Sequence, residues 1–129
     1  MDPKLLAALD DWVVRRKYHN RSEAIRDLVR GGLVDEAWRR GTQETVATIT
    51  LVYDHHTRLL PGRLTAAQHR QYVHIISALH VHLDHHHCLE VLVARGKPRT
   101  LQSLADGLIA TRGVKFGRLT VASTGRDLP

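Results

Sequence analysis

The sequence predicts an α+β protein, and three observations carry that prediction. Residues 1–42 hold two blocks of apolar residues at helical spacing, residues 47–53 alternate cleanly, and the elements that follow complete a β-α-β-β-α-β order. That order is the ferredoxin-like split arrangement. A chain of 129 residues with 43% hydrophobic content can build one domain or two small ones. The break Arg39-Arg40-Gly41-Thr42 divides it into 1–42 and 43–129.

In the first unit, Leu5, Leu6, Leu9, Trp12 and Val13 recur at helical spacing, with Pro3 in the tolerated first turn. A basic turn through Asn20 follows. Ser22 is expected to cap a second helix, with Glu23 favourable in its first turn and Ile25, Leu28, Val29 and Leu33 as its buried stripe. In the second unit, Ala47, Ile49, Leu51 and Tyr53 share one face of a strand. Pro61-Gly62 lead into a helical stretch ending near Leu79. Residues 78–84 and 88–95 read as strands joined by the polar turn Asp84-His85-His86-His87. Leu101, Leu104, Ala105, Leu108 and Ile109 form a helical stripe that Gly113 is placed to end, and Val114, Phe116, Leu119 and Val121 sit in a last strand.

Composition excludes some classes. No apolar run approaches the roughly 20 residues of a membrane span, and no secretory segment opens the chain. One cysteine allows no internal disulfide and fits a reducing compartment, so a soluble, cytoplasmic protein is expected. The net charge of +6 is spread: 9 Lys/Arg against 7 Asp/Glu in residues 1–40, and 10 against 6 in 41–129. A dedicated nucleic-acid module would concentrate the excess, so charge alone does not decide for DNA. The one basic knot, Arg15 to Arg21, can neutralise a few phosphates or simply solvate a helix end.

Histidine is the informative residue. Nine of the ten lie between His55 and His87, and five of those between His80 and His87. His80 and His82, two apart on a strand, project from one face, and Cys88 opens the next strand across a short turn. Two imidazoles and a thiolate on one hairpin are three metal ligands. Either feature alone is commonly structural; their coincidence favours a site. The donors suit Zn, Ni or Cu, and spacing alone does not choose among these late divalent metals.

The run Asn20-Arg21-Ser22-Glu23-Ala24-Ile25-Arg26-Asp27, the stretch Leu79-His80-Val81-His82-Leu83 and the later Cys88-Leu89-Glu90 resemble the nickel-responsive transcriptional regulator family, often called NikR. The likeness spans nearly the whole chain. Its specific element is His-x-His-x5-Cys with a histidine eleven residues upstream; the Asn-Arg-Ser-Glu-Ala run is shared more loosely by ribbon-helix-helix regulators. The resemblance implies an N-terminal ribbon-helix-helix domain over 1–42 and an ACT-like nickel-binding and tetramerisation domain over 43–129. It implies a homotetramer, a dimer of dimers, that takes one Ni(2+) per subunit and binds operator DNA to repress nickel uptake. His80, His82 and Cys88 would be three ligands from one subunit, and His69, on the helix after the first strand, the fourth, given to a neighbour.

By the same resemblance Glu90, Tyr53 and His55 stand around the ligands, orienting them through hydrogen bonds. Glu23 and Asp27, at i and i+4, resemble a secondary cation site, although first-turn carboxylates are common through the helix dipole alone. Arg21 and Ser22 would contact DNA phosphate at the second helix's N-terminus. His85, His86 and His87 are expected to be solvated turn residues. The family begins with a ribbon strand, and Met1-Asp2-Pro3 stands where that strand would have ended. The first unit is therefore expected to be a ribbon-helix-helix remnant without its ribbon strand. Either the true start lies upstream, or the chain is a variant that binds nickel without reading an operator. An amino-acid-sensing ACT domain would not require Cys88 or the His pair. A metal hydrolase would need an open coordination position and a general base, so an enzyme is not expected.

Overall fold

The computed structural model describes residues 1–56, 74–126 and 128–129. Two helices lead the chain, α1 (Pro3–Arg15) and α2 (Arg21–Arg40). Strand β1 (Thr45–Asp54) follows, then β2 (His74–His82), β3 (His87–Gly96), helix α3 (Pro98–Ile109) and β4 (Val114–Val121). The helical stretch expected from Pro61 lies largely outside the described residues.

Local chemistry sets the helix ends. Asp2 caps α1 by accepting from the Lys4 N–H at 2.7 Å, with Pro3 in the first turn. Asn20, and not the expected Ser22, caps α2: its Oδ1 accepts the Glu23 N–H at 3.0 Å. Asn serves here as well as Ser, because the cap needs only a short side-chain oxygen in reach of that N–H. Gly41, at φ 66°, ends α2 in a left-handed cap at the expected break. Helix α3 stops at Ile109, before Gly113, whose φ of 99° instead turns the chain into β4.

The sheet is antiparallel with order β2-β3-β1-β4. Strand β2 begins at His74, where the sequence expected helix to Leu79. Near its start Ile75 and Ile76 are β-branched, which favours the pleated state, and apolar periodicity there does not separate helix from strand. A register shift between Ile75 and Ser77 further blurs the two-residue repeat.

One face of the sheet carries the core. Ala47, Ile49, Leu51 and Tyr53 of β1 and Cys88, Leu92 and Ala94 of β3 pack against Leu101, Leu104, Ala105 and Leu108 of α3. Trp38, near the end of α2, leans on this core. The expected buried stripe of α2 is different: Ile25, Leu28, Val29 and Leu33 are 41–53% exposed, and only Ala24 is buried. Two helices alone cannot enclose a stripe on both sides, so it faces outward from the single chain. Ile76, Leu79, Val81 and Leu83, on and just beyond β2, are likewise exposed. No helix among the described residues is long and apolar enough to cross a membrane.

Candidate metal centre

The register brings the chemistry to one end of the sheet. Cys88 pairs with His82 across the β2–β3 hairpin and with Tyr53 across β1–β3, and His80 pairs with Glu90. Residues two apart share a face, so Tyr53, Cys88, Glu90, His80 and His82 line one patch of the core side. His55 follows β1 directly and enters the same patch.

Cys88 Sγ lies 3.4 Å from His82 Nδ1. The ligand atoms of His55, His82 and Cys88 all fall within 4.8 Å of one another. The His55 and His82 rings meet edge to face at 5.6 Å, and the His80 ring is 5.1 Å from that of His82. His80 Nδ1 is 3.3 Å from the Tyr53 hydroxyl, so His55 completes the tight trio in the place where His80 was expected. His69 lies outside the described residues.

The electrostatics follow from burial. Burial, reinforced by the Asp84 and Glu90 charges, pushes the Cys88 thiol up. Burial also raises the Tyr53 hydroxyl, with the Glu90 and Cys88 charges adding to it. Desolvation, then His56 and His82, pushes His55 down, favouring the neutral imidazole that binds metals. His55 Nδ1 is buried with no hydrogen-bond partner among the described residues. Such an atom calls for a ligand, and two imidazoles with a thiol are the donors a late divalent transition cation takes. The residues present fit a metal, and metal binding would draw off the Cys88 proton.

The expected polar turn is closed by one of its own side chains. Asp84 Oδ1 accepts the His86 and His87 N–H groups at 2.7 and 2.8 Å. Both of its oxygens stand 3.0 Å from His87 Nδ1. The His86 and His87 donors hold its carboxyl well below the usual carboxylate range. Sequence reasoning missed Asp84; the only signal was an Asp opening a polar turn. His85 and His86 remain exposed.

On the helices, the Arg21 guanidinium grips Asp10, Nε to Oδ1 at 2.7 Å and Nη2 to Oδ2 at 3.0 Å. That hydrogen-bonded pair lowers Asp10 and ties α2 to α1. Ser22 is exposed in the first turn of α2. Glu23 meets His19 Nδ1 at 3.3 Å, and Asp27 accepts the Tyr18 hydroxyl at 2.8 Å with Arg30 at 3.6 Å. The two carboxylates of the expected secondary cation pair thus each have partners within the chain.

Residues 46–122 match the family model described as the NikR C-terminal nickel-binding domain. A nickel-responsive regulator of Geobacter sulfurreducens is 54% identical over 128 residues, covering 99% of this chain and 92% of that one. One from Pelobacter propionicus is 52% identical with the same coverage. One from Caldanaerobacter subterraneus subsp. tengcongensis is 46% identical, covering 99% and 83%. Among solved structures, the ACT domain of a GTP pyrophosphokinase from Chlorobium tepidum aligns with a TM-score of 0.53 at 17% identity, over 60% of this chain and 99% of that one. The C-terminal domain of MgtC from Mycobacterium tuberculosis aligns at 0.51 and 7% identity, over 64% and 93%. At such identities these two establish the fold alone, an ACT-like sheet with a helix on one face.

Proposed function

Because the chain belongs to the NikR family of nickel-responsive regulators, we propose that it is a cytoplasmic transcriptional repressor of nickel-uptake genes, controlled by one Ni(2+) per subunit. It is not an enzyme. The observation that carries the reading is the approach of Cys88 Sγ to His82 Nδ1, 3.4 Å, with His55 in the same trio.

His80, His82 and Cys88 are the ligands of one subunit and His69 the ligand lent to its neighbour, in a homotetramer built as a dimer of dimers. Tyr53, His55 and Glu90 surround them: the Tyr53 hydroxyl holds His80, and Glu90 stands opposite His80 across the hairpin. A bound nickel ion supplies the charge that ties donors of two subunits together. A ligand crossing an interface makes occupancy and assembly geometry one equilibrium, which is the physical basis of a sensor. Residues 1–42 are the DNA-binding unit, with Ser22 and Arg21 at the helix end that faces phosphate. The outward apolar stripe of α2 supports pairing of these units.

The test is Cys88→Ala. It should abolish the intense sulfur-to-nickel absorption and weaken nickel binding severely; retention of both would overturn the site. Nickel-dependent DNA binding that weakens with salt tests the other half. Tight nickel binding with no DNA affinity would make the chain a nickel-binding protein that does not recognise an operator.

A further inference from the structure

His55, His82 and Cys88 each adjoin or hydrogen-bond to one turn, and one carboxylate organises that turn. Asp84 stands two residues after His82 and four before Cys88. Its Oδ1 takes the N–H groups of His86 and His87 at 2.7 and 2.8 Å, closing the turn against its own side chain. The turn is pinned from the other side as the Leu83 N–H donates to the His87 carbonyl at 2.9 Å. His55 is not on this hairpin, yet its N–H donates to the His86 carbonyl at 3.0 Å. The peptides that Asp84 orients therefore lead into Cys88 on one side and hold His55 on the other.

The His87 ring extends the brace across the sheet. Lys115 Nζ, at the start of β4, lies 3.1 Å from His87 Nε2. An ammonium only donates, so Nε2 accepts and Nδ1 carries the proton, which it donates to Asp84 at 3.0 Å. Carboxylate, imidazole and ammonium thus form one chain from the β2–β3 turn to β4. It runs beside Asp54, which pairs with His87 and precedes His55.

We propose that Asp84 is the positioning residue of the metal centre, holding the ligands His82 and Cys88, with His55 beside them, in the close arrangement seen here by fixing the 83–87 turn. The proposal rests on the nickel site described above. The role of Asp84 is that of a positioning residue, exerted through the backbone of His86 and His87. A neutral acceptor of the same shape keeps the turn, since Oδ1 alone takes both turn N–H groups and also stands 3.0 Å from His87 Nδ1. Asp84→Asn therefore keeps the site, and Asp84→Ala loosens it.

The experiment compares wild type, Asp84→Asn, Asp84→Ala and Cys88→Ala by competitive nickel titration with the sulfur-to-nickel absorption recorded. It also follows the reaction of Cys88 with an aromatic disulfide reagent in the metal-free proteins. Asp84→Ala should lose about tenfold or more in nickel affinity, in the range of losses from disturbed outer-shell partners. Its buried thiol should also react several-fold faster, because a freed turn opens more often. Asp84→Asn should stay close to wild type in both. Wild-type affinity and thiol reactivity in Asp84→Ala, with nickel lost in Cys88→Ala, would overturn the positioning role alone. Equal losses in Asp84→Asn and Asp84→Ala would overturn it in favour of the charge. Nickel binding unchanged in Cys88→Ala would overturn the site and this role with it.

Discussion

Lys17 has φ 61°, the one non-glycine residue with positive φ among the described residues, where α1 gives way to the turn before α2. A Cβ in that region crowds the following carbonyl, and glycine usually takes the place. Lys17→Gly should therefore raise stability by about 0.5–1 kcal/mol in urea unfolding. A midpoint at or below that of the parent would mean the lysine makes contacts worth more than the strain. Single residues also show how far spacing alone reaches. His82 and Cys88 were legible as a pair, because a short turn forces neighbours across a hairpin together. His55 was legible only as a residue near the site, since its entry into the trio depends on the β1–β3 register that sets Tyr53 opposite Cys88. Asp84 was legible only as the residue that opens a polar turn: nothing in its type or spacing says that its turn braces the trio.

Among the elements, α3 and β4 come into close contact at Gly117. A Cβ built there would collide with Ile109 Cγ1 and lie 3.1 Å from Ile109 Cβ and Cγ2. Gly117→Ala should cost about 1–3 kcal/mol of stability by overpacking. In an Ile109→Ala background the same change should cost clearly less, and calorimetric melting of the four proteins checks it. An undiminished cost in the double variant would place the strain in the strand backbone instead. The elements themselves were mostly legible where one period dominated. Ala47, Ile49, Leu51 and Tyr53 alternate and are all buried, and Leu101, Leu104, Ala105 and Leu108 keep helical spacing and are buried too. Strand β2 was mistaken at its start, because Ile75 and Ile76 fit either period and the register shift falls beside them. The cap of α2 moved from Ser22 to Asn20 because both types can serve and only the chain's path selects one.

At the scale of the whole molecule, the proposed sensor needs more than one chain. The single chain leaves Ile25, Leu28, Val29 and Leu33 of α2 outward, and Ile76, Leu79, Val81 and Leu83 around β2 as well. Mixing His69→Ala protein with Cys88→Ala protein should regenerate part of the sulfur-to-nickel absorption, because each supplies what the other lacks at a shared interface. No recovery in tetramers shown to exchange subunits would count against a ligand donated between chains. By itself the sequence determined the α+β class, the strand and helix faces, the family resemblance and the His-x-His-x5-Cys hairpin. All of these are written in near-neighbour spacing, which local backbone geometry translates directly. Only the tertiary structure decided that His55 joins His82 and Cys88 and that Arg21 is engaged by Asp10. Those outcomes depend on register and packing between segments distant in sequence, where many weak contacts sum to select one arrangement and no single residue announces it.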